Sequence, residues 1–237
     1  MTQTWTLSPC TVKDGPALAA NNIPAFHDDP TTAWALLWSR ETELDFLVER
    51  AAMRQPRNLL RDREIMRHQK AVDSRTGEIV GYARWVLPSS GKFPQGSIPW
   101  QEAQVPPVNA DEEAQFAKQA ETAWWSPRSD MMNMDDEIQA AVRRYMADQD
   151  QGYIQLEYLA VHPSHQGSGI GTSLVKSGLS FADEHGVPVY TIAFSSGRGI
   201  YTRLGFREVA RVVQDLAPYG GEGQYATFCM VMDGGGV

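Results

Sequence analysis

Leu159-Ala160-Val161-His162-Pro163-Ser164-His165-Gln166-Gly167-Ser168-Gly169-Ile170-Gly171-Thr172 joins an apolar strand pattern to an amphipathic helix pattern through a glycine-rich turn. The strand pattern begins at Tyr153 and ends at Val161. The helix pattern runs from Ile170 to Gly186 and puts Leu174, Val175, Leu179 and Ala182 on one side. Val187 to Phe194 follows as an almost wholly apolar strand, as expected where both faces of a sheet are covered. Gly197 to Leu204 reads as a short helix. Phe206 to Leu216 and Tyr225 to Asp233 read as the strands of a final hairpin. Strand–helix–strand–helix–strand in this order argues for an α/β fold.

The chemistry of the turn narrows the field. Glycine reaches φ > 0 and lets backbone approach a ligand closely. A helix start offers unpaired N–H groups and the positive end of the macrodipole, and successive N–H groups can cup an anion such as a pyrophosphate. A phosphate loop of the Gly-Lys-Ser/Thr type is excluded, because Thr172 follows Gly171 with no Lys. A G-x-G-x-x-G dinucleotide fingerprint also fails, because Thr172 or Leu174 falls where the third glycine belongs.

Upstream, Gln69 to Asp73 and Glu78 to Leu87 form a hairpin pattern around the turn Ser74-Arg75-Thr76-Gly77, with Pro88 ending it. Gly81 inside the second strand marks a bulge or a close backbone approach. Trp5 to Leu7 reads as a short strand stopped by Pro9. Asp14 is placed to cap a helix continuing to about Phe26, and Thr31 or Thr32 opens a second helical stretch. A third helix runs from Glu41 to Ala52 and, interrupted at Pro56, on to His68. Residues 88–110 are proline-rich loop. Residues 111–124, capped by Asn109 or Asp111, and 135–148 read as helices. The stretch 88–150 is too long for a hairpin connection and is expected to be a helical insertion.

Composition sets outer limits. The 237 residues carry 21 Lys+Arg and 29 Asp+Glu, a formal net charge of −8, with 42% hydrophobic residues. That is a globular composition, and its acidity disfavours nucleic acid as a partner. No apolar run reaches membrane-span length, and Met1 to Cys10 lacks the pattern of a signal peptide, so a cytoplasmic location is expected, with the nucleus left open. Cys10 and Cys229 make no disulfide framework. His162 and His165 are separated by Pro163, no CxxC is present, and no metal site is expected. No internal repeat is visible.

Gln166, Gly169 and Gly171 fit the pattern Gln/Arg-x-x-Gly-x-Gly/Ala. Leu159-Ala160-Val161-His162-Pro163 precedes it and Tyr201-Thr202-Arg203-Leu204-Gly205-Phe206 follows it. With these elements in order the chain resembles the GNAT superfamily of acyl-CoA-dependent N-acyltransferases, specifically over Tyr153 to Arg207. It is similar to fungal-type members with an insertion before the cofactor-binding strand. The resemblance implies one domain over 1–237: a mixed central β-sheet of about six or seven strands flanked by helices, with a helical insertion between strands 3 and 4 and a cofactor-binding core at 153–207.

It also implies roles. Gln166, Gly167, Ser168, Gly169, Ile170, Gly171 and Thr172 would hold the pyrophosphate of acetyl-CoA or coenzyme A. Leu159, Ala160 and Val161 would border pantetheine where their strand splays from its neighbour. Ser196, Gly197 and Tyr201 would lie at the thiol end, with Tyr201 as general acid toward the departing thiolate. The place where many members have Asn is Phe194 here, and Gly197 stands where they have Ala. Ser195 or Ser196 is a substitute for the Asn or a turn cap. Glu157, the only ionisable group in its strand, is the first candidate for general base, with His162 and then His27 behind it. Strict strand alternation places Glu157 on one face with Gln155, Leu159 and Val161.

The function expected is transfer of an acetyl group from acetyl-CoA to a primary amine, by direct attack, since no Cys lies near the motifs. A peptide acceptor and a non-catalytic acyl-CoA sensor are the alternatives. Trp34, Trp38, Trp85, Trp100, Trp124 and Trp125, with Met131, Met132 and Met134, are expected on the acceptor side, where they suit a small, partly apolar or aromatic amine. A monomer or homodimer is expected.

Overall fold

In the computed structural model the described residues are 4–39, 41–88, 93, 99–149 and 152–234. They form a seven-stranded sheet in the order β1-β2-β3-β4-β5-β7-β6. The strands are β1 (Trp5–Pro9), β2 (Met66–Asp73), β3 (Ile79–Val86), β4 (Ile154–Val161), β5 (Val189–Phe194), β6 (Arg207–Asp215) and β7 (Gln224–Met232). Only β4 and β5 pair in parallel; the other neighbours are antiparallel.

Helices cover both faces. On one, α5 (Ile170–Glu184) and α6 (Ser195–Arg203) share a core with Ala83, Trp85, Leu156, Phe228 and Met230 of the sheet. On the other lie α1 (Gly15–His27), α2 (Leu44–Leu60), α3 (Ala110–Thr122) and α4 (Asp136–Ala147). There α1 meets β3 and β4, α2 packs on α1, α3 packs on α2, and α4 covers β6 and β7. The insertion thus contributes two helices, placed far apart along one face.

Several local expectations need correction. Residues 66–68 are strand, and α2 ends at Leu60, beyond Pro56. Arg67 explains the early start of β2. Its side chain is fully buried, and its guanidinium donates to the carbonyls of Met66, Arg63, Glu64, Pro99 and Trp100. That many carbonyl acceptors let a cation lie in a core without an acidic partner. The stretch after Thr32 is only a short 3-10 turn, Trp34–Leu37. Pro9 is accommodated inside β1 because this is an edge strand. Asp14 occupies the cap position of α1, but its carboxylate accepts from Thr11 N (2.7 Å) and Lys70 Nζ (2.6 Å) instead. Asn109 does cap α3, in a capping box with Glu112. The part of the proline-rich loop around Pro94 lies outside the described residues.

Two glycines set how closely α5 approaches the sheet. A Cβ on Gly81 would collide with Ile170, and one on Gly178 would fall inside the Trp85 indole. The bulge reading of Gly81 also holds, since Ala71 pairs with Gly81 and Val72 with Ile79, leaving Val80 as the extra residue.

His68 is 1% exposed, and its Nδ1 lies 2.8 Å from the Tyr82 hydroxyl. Burial, with Arg84, Arg67 and Arg61 adding, pushes its pKa from 6.5 down to about 3. The unfolded chain therefore takes up a proton near pH 6.5 that the folded chain refuses. Stability from this group is whole above pH 6.5 and falls as the pH drops toward 3. Unfolding by urea between pH 7 and 4 is expected to show a slope on the order of 1 kcal/mol per pH unit that His68→Gln removes. Equal slopes in both proteins would refute the assignment.

Candidate active site

The site grows from one irregularity in β4. Arg84 pairs with Tyr158 and Trp85 with Leu156, so Glu157 is an extra residue without a partner on β3. Such a β-bulge bends its strand and increases the local twist. Pairing of β4 with β5 stops at the same point: only Ile154–Leu156 meets Val189–Thr191. Beyond it β4 stays with β3 and β5 stays with β7. A cleft opens between Glu157–Val161 and Ile192–Phe194.

The bulge also overturns the alternation expected for β4. Ile154, Leu156, Leu159 and Val161 all pack toward the α5 core. Tyr158 faces the α1 side, and Glu157 meets Arg84 there instead of sharing a face with Leu159 and Val161. Two consecutive residues thus point away from α5, as a two-against-one bulge requires.

At the fork, Thr191 Oγ1 donates to the Leu156 carbonyl (2.8 Å). Thr191 also acts on the Tyr201 phenol, partly opposing the rise that burial causes. The Tyr201 ring is 5% exposed and packs edge-on against Phe206, with Gly197 beside it on the same face of α6. Burial pushes the Tyr201 pKa up to about 12, so the phenol keeps its proton through the neutral range.

On the α5 side of the cleft lies the glycine-rich turn. Gly167 (φ +75°) and Gly169 (φ +95°) both take left-handed conformations, and Gly169 is the N-terminal cap residue of α5. The first backbone bond of the helix is Ser173 N to Gly169 O (3.0 Å). Among the described residues no backbone acceptor meets the N–H groups of residues 167–172, and Gln166 to Gly169 are exposed. This run of free donors at a helix start is suited to an anion. Gly171 differs from its neighbours: a Cβ there would sit 3.3 Å from Ile200 and 3.5 Å from Val161, so it is a packing glycine between α5, α6 and β4. Gln166 Nε2 donates to Val161 O (3.3 Å), and Ser168 Oγ donates to His165 O (2.5 Å). Ala160 is buried, with its side chain on the face away from α5.

The opposite mouth is aromatic. Phe26 of α1 lies 4.7 Å from Tyr158 and 6.0 Å from Phe194, centroid to centroid, and so bridges the two strands that no longer bond. Phe194 continues to Tyr225 (5.8 Å), beside Met131 and Met134. A strap after α1 crosses this mouth: Asp29 accepts from Ser196 Oγ (2.5 Å) and Thr31 N (2.8 Å), while Ser196 N donates to Thr31 Oγ1 (3.2 Å). Ser196 therefore ties α6 to the strap and does not point its hydroxyl at the fork.

Other expected residues fall differently. Trp85 and Trp100 lie under α5, on the face of the sheet away from α1, with Trp100 stacked on Phe181 (4.9 Å, 9°). Trp34, Trp38, Trp124 and Trp125 gather around α2. Of the methionines, Met131 and Met134 are buried near Phe194, whereas Met132 is 61% exposed. His162 Nδ1 pairs with Ser164 Oγ (2.7 Å) in a loop cap, and His27 pairs with Asp28 (2.9 Å). Cys10 and Cys229 are free and buried in separate clusters.

Sequence reasoning missed Phe26, Thr191, Asp29 and Arg84. Arg84 carried a signal: it is the one charged residue between Ile79 and Leu87, the same argument that singled out Glu157.

Residues 95–206 match the model of the acetyltransferase (GNAT) family. The matched stretch takes in β4, α5, β5 and α6, the elements that build the fork. Solved structures share the fold at low identity. A Corynebacterium glutamicum protein described as histone acetyltransferase HPA2 and related acetyltransferase superposes with a TM-score of 0.57 at 18% identity, covering 98% of this chain and 97% of that one. Arylalkylamine N-acetyltransferase 2 from Aedes aegypti gives 0.57 at 12% identity, over 98% and 99%. The PaiA N-acetyltransferase from Thermoplasma acidophilum, in complex with coenzyme A, gives 0.51 at 11%, over 98% and 99%. No curated protein sequence matches the chain.

The two kinds of glycine in the turn separate experimentally. Gly169→Ala places a side chain at φ +95° with ordinary contacts around it, so its cost is backbone strain of about 1–2 kcal/mol. Gly171→Val meets Ile200 and Val161, so a smaller residue at 200 should restore part of its loss. Thermal unfolding of Gly171→Val with and without Ile200→Ala checks this. An equal rescue of Gly169→Ala by Ile200→Ala would contradict it.

Proposed function

We propose that the chain is an N-acetyltransferase that moves an acetyl group from acetyl-CoA to a primary amine on a small molecule, by direct attack in a ternary complex. The observation that carries this reading is the open fork between β4 and β5, with free N–H groups at one mouth and an ionisable pair at the other. The coenzyme A held by the PaiA protein of the same fold supports the donor assignment.

Gln166 to Thr172 would hold the pyrophosphate through backbone N–H groups, with no side chain on Gly167 or Gly169 in the way. Leu159, Ala160 and Val161, on the strand edge that β5 has left, would line the pantetheine arm. Ser196 and Gly197 would border its thiol end, the latter next to the Tyr201 ring. Acetyl-CoA brings an activated acyl group. The protein moves protons around it. Glu157 takes a proton from the incoming amine as the C–N bond forms, and Tyr201 gives one to sulfur as the C–S bond breaks. A phenol held protonated by burial suits the second task. Both cysteines are fully buried and burial pushes their thiols up, which disfavours an acyl-enzyme and supports direct attack.

The acceptor side supports a small, partly aromatic amine through Phe26, Tyr158 and Phe194, in place of the tryptophans first expected there. The arylalkylamine N-acetyltransferase of the same fold is in keeping with that choice.

Tyr201→Phe should leave packing intact and lower kcat roughly 10²–10³-fold with KM for acetyl-CoA unchanged. Retained kcat would assign protonation of the thiolate to water. For the acceptor, thiol release from acetyl-CoA should be fastest with small aromatic amines, and Phe194→Asn should raise their KM while sparing affinity for acetyl-CoA. Faster turnover of basic peptides than of every small amine would overturn the small-molecule reading, and no turnover with any amine would favour a binding role.

A further inference from the structure

Arg84 and Glu157 face each other across the bulge. The guanidinium Nε lies 2.5 Å from Glu157 Oε2, with 20% and 30% of the two side chains accessible. The same guanidinium rests 5.3 Å from the centre of the Tyr158 ring. Its place is set by the ladder, since Arg84 is the direct partner of Tyr158 on the neighbouring strand. Glu157 has no ladder partner, so nothing in the backbone pairing orients it.

The surroundings are protic but otherwise uncharged. Tyr82 and Arg84 of β3 and Tyr190 of β5 act electrostatically with Glu157, and Tyr158 adjoins it on β4. Tyr190 is engaged elsewhere, donating to Gln155 Oε1 (2.7 Å). Among the described residues no charged side chain of α1 or α4 pairs with Glu157. Arg84 is thus its one cationic contact.

We propose that Arg84 is a positioning residue for proton transfer: it fixes the Glu157 carboxylate at the acceptor mouth and acts on the reaction only through it. This rests on the reading of Glu157 as the general base. A bulged glutamate left to itself would sample several rotamers, at an entropic cost whenever it must meet an amine. A partly sheltered ion pair, braced from a second side by an aromatic face, removes that freedom before substrate arrives. The remaining carboxylate oxygen is left for the amine proton.

The consequence is a particular pattern of non-additivity. Glu157→Gln should lower kcat about 10²-fold or more. Arg84→Met should lower it about 10–10²-fold, with KM for acetyl-CoA and the melting temperature close to wild type. The double variant should be no slower than Glu157→Gln alone to within about twofold, because a residue that acts only through Glu157 has nothing left to act on. Arg84→Lys keeps the charge without the planar fork and should recover part of the lost kcat.

Losses that multiply in the double variant would overturn the proposal, as would an Arg84→Met enzyme with wild-type kcat. Should Arg84→Met fail to fold, the cycle is run with Arg84→Lys, for which multiplying losses count equally against it. A Glu157→Gln enzyme with full activity would instead remove the base assignment beneath it, so the two failures are told apart.

Discussion

The register shift at Glu157 is the constraint on which the rest of the molecule depends. One residue too many in β4, against a straight run in β3, does two things at once. It bends the strand so that its ladder with β5 ends after Leu156, which makes the cleft. It also turns Glu157 to the side where Arg84 lies, which gives the cleft an ionisable mouth. Opening and charge have a single geometric origin. Neither needs a loop, and both are built on strands that stay paired along their other edges apart from single bulged residues.

A sheet cut part-way across must be held together by something other than backbone bonds. Here that is done on each face by different means. On the α5 side the core closes over the fork, where Thr191 bridges to Leu156 and Tyr201 packs on Phe206. On the α1 side Phe26 spans Tyr158 and Phe194, and the strap at Asp29 and Thr31 fastens α6 through Ser196. The insertion adds to this second face from two directions, α3 through α2 and α4 directly on β6 and β7. Arg67 anchors its beginning by holding Pro99 and Trp100.

The parts of this arrangement legible in the sequence are those carried by local pattern. The turn at Gln166–Thr172, the helix after it, the hairpin around Gly77 and the existence of the insertion follow from periodicity and from glycine and proline placement. The parts that were not legible are those decided by pairing between distant residues. A bulge has no signature in Gln155-Leu156-Glu157-Tyr158, because it is a property of the count of residues on two strands 70 positions apart. Strict alternation therefore misplaced Glu157. Ser196 was assigned toward the fork because the partner that captures it, Asp29, lies far away in sequence. Arg67 and His68 lie in a strand where the sequence suggests a continued helix, because their burial depends on distant partners: carbonyls for Arg67 and the Tyr82 hydroxyl for His68. Tryptophan content placed six rings together on one side, but the sequence could not divide them between the two faces of the sheet, where Trp85 and Trp100 pack under α5 and the other four around α2.

The closeness of α5 to the sheet has a consequence for how such a protein changes over generations. At Gly81 and Gly178 there is no volume between helix and strand for even a methyl group, so α5 is seated on β3 through glycine backbone packed against Ile170 and Trp85. The opposite mouth is shaped by the side chains of Phe26, Tyr158 and Phe194 and not by glycine backbone. A change of volume is therefore costlier under α5 than at that mouth. A lineage built on this scaffold has more room to reshape one end of the cleft by single substitutions than the other.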